Sequence, residues 1–476
     1  MGDIQENKCG ICLTHSLHDL YSFLKALQHR GREAVGIAGI SRDRIDVMKW
    51  AGPLQTFDLK TIIHNFHQIT RGHSHKTFLG HVRYATRGRK DRILEDAHPI
   101  TIGGKEIHRG NHTYILDCDA IAIHNGQIDT GPLLKKIEIT DPQPDTQALL
   151  HYALKRGYHS IPKEIPGSYT FIYVQKGKNY VTILRDKHGM MPATLGEKDG
   201  RIVFSSEDIA LRKNGALVKK DMEPGSAYLV SLTGQKAKHH LEEENRKHCF
   251  FQWNYIGDSQ STIEAVSVST VRRKLGEALA LHARPNVDLV TFVPRCPETA
   301  AESYAEARNI PFLHVFYKPR SERSFQGPTS EERRSSIMSN LYIYPIINGQ
   351  PSHEFLKGKR VAMVDDSIIR GNNAKHARDL LLEQGAGEVH LLSYTPKVGI
   401  IGKDNKKRGC TFGIDMPPDD DFIAREKTDE EITEAMGMHV HYMPYEAMLD
   451  AFEDCGMPRE HLCHYCIGGE HPFTGR

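Results

Sequence analysis

From about residue 270 onward, apolar runs of strand length alternate with segments of helical period. VRRKLGEALALH precedes DLVTFV, ETAAESYAEA leads to FLHVFY, and RVAMV is followed by NAKHARDLLLEQ and EVHLLSY. Strands that alternate with helices form a parallel sheet, because each crossover must pack a helix back onto the sheet. Ligands of such sheets sit beyond the carboxyl ends of the strands. Residues from about 9 to 235 follow another rule: RIDVMKW, KTFLGHVRYAT, DAIAIHNGQI, SYTFIYV, YVTILRD, RIVFSSE and SAYLVSL are short, β-rich and broken by Gly and Pro, with helical stretches at LYSFLKALQHRG and DTQALLHYALKRG. That pattern predicts a layered α+β domain. A chain of 476 residues exceeds what one core serves, so about two or three domains are expected. KAKHHLEEENRKH, charged all round, reads as a surface helix or linker between the two regimes.

Lys+Arg 62 against Asp+Glu 60 leaves a net charge of +2, which supplies no general attraction for nucleic acid or an acidic membrane. No run approaches about 18 apolar residues, the N-terminus lacks a basic start with an apolar run, and Glu6 stands where a myristoylation motif needs Ser or Thr. A cytoplasmic protein with small-molecule substrates, and without nucleic-acid or membrane partners, is the expectation. Nine cysteines, odd in number and irregular in spacing, point to metal binding or catalysis rather than a disulfide framework. His64, His67, His73 and His75 lie among Lys, Arg, Asn and Gln, which favours a solvated loop over a metal site.

Val361 to Asn373 reads VAMVDDSIIRGNN, a buried strand running into two acids and a turn. Successive backbone N–H groups at the start of a helix cradle a phosphate, Gly371 allows close approach, and Asn372 or Asn373 can cap the helix. Two adjacent acids oppose a phosphate; they suit a sugar diol or hydrated Mg²⁺, or else merely solvate a strand end. The run resembles the phosphoribosyl pyrophosphate motif of type I phosphoribosyltransferases, in particular that of the glutamine amidophosphoribosyltransferase family. The resemblance implies that Asp365 and Asp366 hold the ribose hydroxyls and Mg²⁺, while Ser367, Ile368, Ile369, Arg370, Gly371, Asn372 and Asn373 wrap the 5′-phosphate, with Lys318 and Arg323 on a nearby basic loop.

Cys9 read alone is a small residue of an edge strand. LQHRGREAVGIA, GHVRYATRG, HNGQID and Asp145-Thr146 resemble, in order, the motifs of class II glutamine amidotransferases, which are N-terminal nucleophile hydrolases. On that resemblance residues 1–8 are a propeptide and Cys9 the nucleophile, its own α-amine shuttling the proton. The Asn125 side chain and Gly126 N–H become the oxyanion donors, and Arg83, Arg30 and Asp145 bind glutamine. The implied fold is a four-layer αββα domain over 9–245 followed by a phosphoribosyltransferase domain with a parallel sheet over 246–476. Cys463 and Cys466 form a lone CxxC; with Cys249 and Cys410 they match the four ligands of an iron-sulfur subgroup, and a 4Fe-4S cluster is implied, zinc on the same thiolates being the rival. Cys12, Cys118, Cys296 and Cys455 are left to packing.

The implied reaction takes glutamine and phosphoribosyl pyrophosphate to phosphoribosylamine, glutamate and pyrophosphate, in a homotetramer inhibited by purine nucleotides. Some segments depart from the family pattern: Lys318 to Phe325 reads KPRSERSF, Ile337 to Leu341 lacks Arg and Lys, and Asn373 replaces a threonine, whereas Pro297-Glu298-Thr299 still matches a variant of the pyrophosphate side. Two rivals follow: a paralogue aminating another phosphorylated sugar, and a non-catalytic iron-sulfur regulator.

Overall fold

A computed structural model describes residues 9–84, 93–138, 144–318, 341–414 and 416–473. Its first half holds two antiparallel sheets face to face. Strands Gly10–Thr14, Ala34–Ile40 and Thr77–Arg83 belong to a nine-stranded sheet, and Ala120–Ile128, Gly167–Gln175 and Tyr180–Arg185 to a six-stranded one. The strand period of two sorts the side chains: Ile11 and Leu13 join Ile121, Ile123, Ile172 and Ile183 between the sheets, while Cys12 between them faces the outer helices. Helices Leu17–Ala26 and Leu59–Ile69 cover one outer face through Leu20, Phe23, Ile62 and Phe66, and Thr130–Ile137 and Asp145–Arg156 cover the other. The layers are αββα, as the N-terminal nucleophile fold requires.

Two local expectations give way. The histidine-rich stretch is a helix followed by a turn: Asp58 caps Leu59–Ile69 by accepting the Thr61 N–H at 2.7 Å, and Ile62 and Phe66 bury one stripe. After the helix His75 pairs with Asp46 at 2.9 Å and His73 bonds Ser41 at 2.8 Å. The charged segment begins as a strand, Lys236–His240, at the outer edge of the six-stranded sheet, where exposed lysines discourage further pairing, and no helix follows it.

In the second half the four strands Leu289–Phe292, Arg360–Asp365, Glu388–Ser393 and His439–Tyr442 lie parallel, in that order. FLHVFY does not extend this sheet. It touches Val290 only through a bridge at Phe312, with Pro311 before it unable to donate, and then turns so that Phe316–Tyr317 pairs Tyr342–Ile343. Helices Val268–His282, Glu298–Arg308 and Tyr445–Asp454 pack on one face, and Asn372–Glu383 and Asp429–Met436 on the other. Among the described residues no helix is long and apolar enough to cross a membrane.

Buried ions hold the halves together. Glu207 is wholly buried and accepts from Arg30 at 2.5 Å, His29 at 2.9 Å, Ser261 Oγ at 2.5 Å and the Asp258 N–H at 3.0 Å. Burial alone would raise its carboxyl; the charges of His29 and Arg30 and these hydrogen bonds outweigh it and hold the group well below 4.5. Glu207→Gln leaves Arg30 buried without its counter-charge, and a loss of about 3–5 kcal/mol in urea unfolding at pH 7 is expected. Because the folded value is depressed, that contribution is complete above about pH 4.5 and fades as pH falls toward the folded value, so the variant's deficit shrinks in acid.

Candidate active site

Cys9 stands just ahead of strand Gly10–Thr14, whose partner strand Thr77–Arg83 ends in Arg83 and leads to Tyr84. Its Sγ lies 3.9 Å from the Tyr84 carbonyl. Burial pushes the thiol up, against the opposing pull of the Tyr84 contact and of the Arg83 and Arg30 charges, while Asp145 adds to the rise. At neutral pH the sulfur therefore keeps its proton until a base removes it. From the facing sheet, strand Ala120–Ile128 brings His124, Asn125 and Gly126. Asn125 is 0% exposed, and neither its Nδ2 nor its Oδ1 has a hydrogen-bond partner among the described residues. A buried amide left unpaired costs about 1–3 kcal/mol per group, so this one is held ready for a partner that arrives. Gly126, at φ +141°, lies so close to the Ser168 carbonyl that a Cβ would collide with it. Asp145 opens helix Asp145–Arg156, its side chain 30% exposed.

One sequence-based role is corrected. Arg30 is 0% exposed, and its guanidinium is taken up by Glu207, by Gln252 at 3.2 Å and by the Cys9 carbonyl at 3.1 Å. It holds the Cys9 backbone, and its guanidinium is engaged at each nitrogen by partners within the protein. Arg83, by contrast, holds only long contacts among the described residues, 3.4 Å to Asp96 and 3.5 Å to the Ile93 carbonyl.

At the carboxyl end of the second parallel strand the turn Asp366–Gly371 leads into helix Asn372–Glu383. Gly371, at φ +78°, occupies the cap position without a side-chain cap, so Asn372 and Asn373 are the first helical residues rather than caps. Ile368 and Ile369 are buried in the core and offer the cradle only their backbone. Arg370 pairs with Asp420 at 2.9 Å, which offsets the charge expected to face a phosphate. Burial and the neighbouring Asp366 push the Asp365 carboxyl well above its ordinary range, as happens to two acids crowded together. A divalent cation or a sugar diol relieves that, so the pair fits either. Lys318 is the last residue described before 341, its carbonyl accepting from Arg295 at 3.1 Å. Residues 1–8, Arg323 and the divergent segments Arg320–Phe325 and Ile337–Asn340 lie outside the described residues.

The short segment Gln252–Ile256 joins the two sites. Its Gln252 holds Arg30, while its partly buried Tyr255 is within electrostatic reach of Asp366, Cys296, Tyr84 and Asp365. Just upstream, Cys249 pairs in register with Cys463 in a two-residue parallel bridge. Cys410 Sγ accepts the N–H groups of Gly413 and Ile414 at 3.2 Å each. Cys249, Cys410, Cys463 and Cys466 are buried, and the thiols of Cys249, Cys463 and Cys466 are raised first by burial and then by the charge of neighbouring thiols of the four, Cys463 to about 12. Among the described residues no three His, Cys, Asp or Glu converge tightly enough for a single metal ion. Four buried thiols near one another are a donor set that suits a four-iron, four-sulfur cluster and a zinc ion alike.

The fold and its two linked sites define a glutamine amidotransferase joined to a phosphoribosyltransferase. A family model described as a glutamine amidotransferase domain matches residues 107–213. A curated amidophosphoribosyltransferase from Methanocaldococcus jannaschii is 30% identical over 98% of this chain and 97% of its own, and one from Bacillus subtilis is 28% identical over 95% and 90%. A solved glutamine phosphoribosylpyrophosphate amidotransferase from B. subtilis, complexed with ADP and GMP, superposes with a TM-score of 0.77 at 25% identity, covering 98% of this chain and 97% of that one. The chain belongs to the amidophosphoribosyltransferase family.

Proposed function

We propose that the protein hydrolyses glutamine at Cys9 and passes the ammonia inward to C1 of phosphoribosyl pyrophosphate, giving phosphoribosylamine, glutamate and pyrophosphate, the opening reaction of purine synthesis. The observation that carries this reading is the segment Gln252–Ile256, whose Gln252 holds Arg30, the anchor of Cys9, and whose Tyr255 lies within electrostatic reach of the two acids. Arg83 takes the α-carboxylate of glutamine and Asp145 its α-ammonium. Asn125 Nδ2 and the Gly126 N–H receive the oxyanion that forms as sulfur attacks. Asp365 and Asp366 hold the ribose hydroxyls and Mg²⁺, which when bound neutralises the leaving pyrophosphate; the backbone from Ser367 to Asn373 wraps the 5′-phosphate, with Lys318 and Arg323 contributing charge. Residues 1–8 are removed before Cys9 acts, 9–245 form the glutaminase domain and 246–476 the phosphoribosyltransferase domain. Purine nucleotides inhibiting a cytoplasmic homotetramer complete the reading.

The four buried thiols are assigned to a 4Fe-4S cluster that clamps the segment after residue 246 to the C-terminus. Anaerobically purified protein is expected to contain about four iron and four sulfide per chain, and Cys410→Ser to lose both. One zinc without sulfide would sink the assignment. Function is tested by following pyrophosphate and glutamate together, with glutamine, Mg²⁺ and phosphoribosyl pyrophosphate supplied. Joint release supports the reading, whereas glutamate without pyrophosphate means a different phosphorylated acceptor.

A further inference from the structure

Behind the glutaminase site three histidines and a threonine form a connected chain. His81 Nε2 lies 2.9 Å from His98 Nδ1 and 3.2 Å from the His124 carbonyl. His98 Nε2 lies 2.9 Å from Thr146 Oγ1, which in turn is 3.3 Å from Asp145 Oδ1 and 3.2 Å from His124 Nδ1. His124 Nδ1 stands 3.6 Å from the other carboxylate oxygen, Asp145 Oδ2. His81, His124 and Thr146 are buried, and His98 is partly exposed. Burial, followed by neighbouring positive charge, lowers the His81 imidazole to about 3 and the His98 imidazole well below its ordinary value, while burial also lowers His124 against the pull of Asp145. Each ring thus has one N–H to place.

One direction satisfies the chain when His124 donates from Nδ1; a proton on its Nε2, toward the Ser168 carbonyl, would instead draw the Thr146 hydroxyl to His124. A carbonyl can only accept, so His81 must carry its proton on Nε2, facing both the His124 carbonyl and His98 Nδ1. His98 Nδ1 then accepts, its proton sits on Nε2, and it donates to Thr146. The threonine oxygen, having accepted, turns its own proton onward. Beside a carboxylate, His124 Nδ1 is favoured as a donor, because a bare lone pair there would face Oδ2; the hydroxyl proton therefore goes to Asp145 Oδ1, which already accepts the Thr146 N–H at 2.7 Å. We infer that Thr146, backed by His98 and His81, is a positioning residue for substrate amine recognition: a one-way hydrogen-bond chain fixes Oδ1 of Asp145 and leaves Oδ2 for the α-ammonium of glutamine. This inference rests on the assignment of Asp145 proposed above. Such a chain serves specificity, since it favours ligands that bring a cation to Asp145 over those that bring none.

The test compares two competitive inhibitors of ammonia release from glutamine, L-glutamate and glutarate, which differ only in the amine. Thr146→Val removes the hydroxyl and keeps the shape. It is expected to weaken glutamate about tenfold and glutarate less than twofold, with Thr146→Ser returning glutamate to within threefold of the parent. Equal weakening of both inhibitors would mean a merely structural residue and overturn the inference. Should Thr146→Val not fold, His98→Gln, which keeps a donor but changes the link to His81, reads the same coupling at about twofold to fourfold on glutamate alone; equal effects there overturn it too. Asp145→Asn separates the two claims. If it leaves the glutamate to glutarate ratio of the parent unchanged, the assignment of Asp145 fails; if it collapses the ratio while Thr146→Val does not, only the chain fails.

Discussion

Cys9→Ala is expected to lower glutamine-dependent pyrophosphate release by about 10⁴-fold or more and to leave release driven by added ammonia within about twofold, because the nucleophile and the acceptor belong to different halves of the molecule. Burial raises the Cys9 thiol, so attack on the carboxamide carbon needs a base at the moment the C–S bond forms. The neighbours that assist the thiolate, Arg83 and Arg30, are cations with no lone pair to accept its proton. An α-amine on Cys9 itself, with an ordinary value near 8, sits within the same residue and takes the thiol proton, then returns it to the departing ammonia. Arg30 supports this geometry by gripping the Cys9 carbonyl at 3.1 Å. A second consequence follows for a form that keeps residues 1–8. There the Cys9 nitrogen is an amide without a basic lone pair, and glutamine-dependent release should fall nearly as far as in Cys9→Ala while ammonia-driven release persists. Glutamine-dependent release that survives in Cys9→Ala would remove the nucleophile from this position.

The parts of this arrangement visible in the sequence are those carried by contiguous residues. Asn125 and Gly126 lie on one strand, Asp365 to Gly371 form one turn, and the alternation after residue 270 fixes the parallel sheet, since each is a property of local pattern. What stayed hidden depends on chain segments far apart. Nothing near Arg30 reveals Glu207, 177 residues away, yet that pairing converts a presumed substrate contact into a backbone anchor. His81, His98 and Thr146 are polar residues in otherwise ordinary segments, and only the stacking of two sheets and a helix turns them into a chain. Lys236–His240 looked too charged for a strand because an edge position tolerates lysine where a central one does not. The histidine-rich helix was missed for a similar reason: Ile62 and Phe66 hold its buried stripe, but the polar residues around them dominate the composition. The segment FLHVFY is apolar as its pattern suggests, but it meets the sheet in a single bridge, Phe312 to Val290, before Phe316–Tyr317 turns to pair with Tyr342–Ile343.

Asn125→Val should separate catalysis from stability in opposite directions. The side chain is 0% exposed on a strand and has neither donor nor acceptor satisfied among the described residues. Valine fills a comparable volume, suits a strand and carries no polar atom, so the folded state is relieved of an unpaired amide and is expected to gain about 1–2 kcal/mol. The oxyanion, however, loses its side-chain donor and keeps only the Gly126 N–H. Removing one such donor costs about 10²–10³ in kcat, and because the negative charge develops only as sulfur attacks, KM for glutamine should stay within about threefold. Steady-state glutaminase kinetics and urea unfolding on the same preparation check both halves. A kcat within tenfold of the parent would take the oxyanion role away from Asn125. A loss of stability would instead show that its amide serves the folded state, and the unpaired geometry would then need another cause. The contrast with Glu207→Gln is the point of the pair of measurements: both residues are buried and polar, but Glu207 has four partners and its loss destabilises, whereas the Asn125 side chain has none among the described residues and its loss disarms.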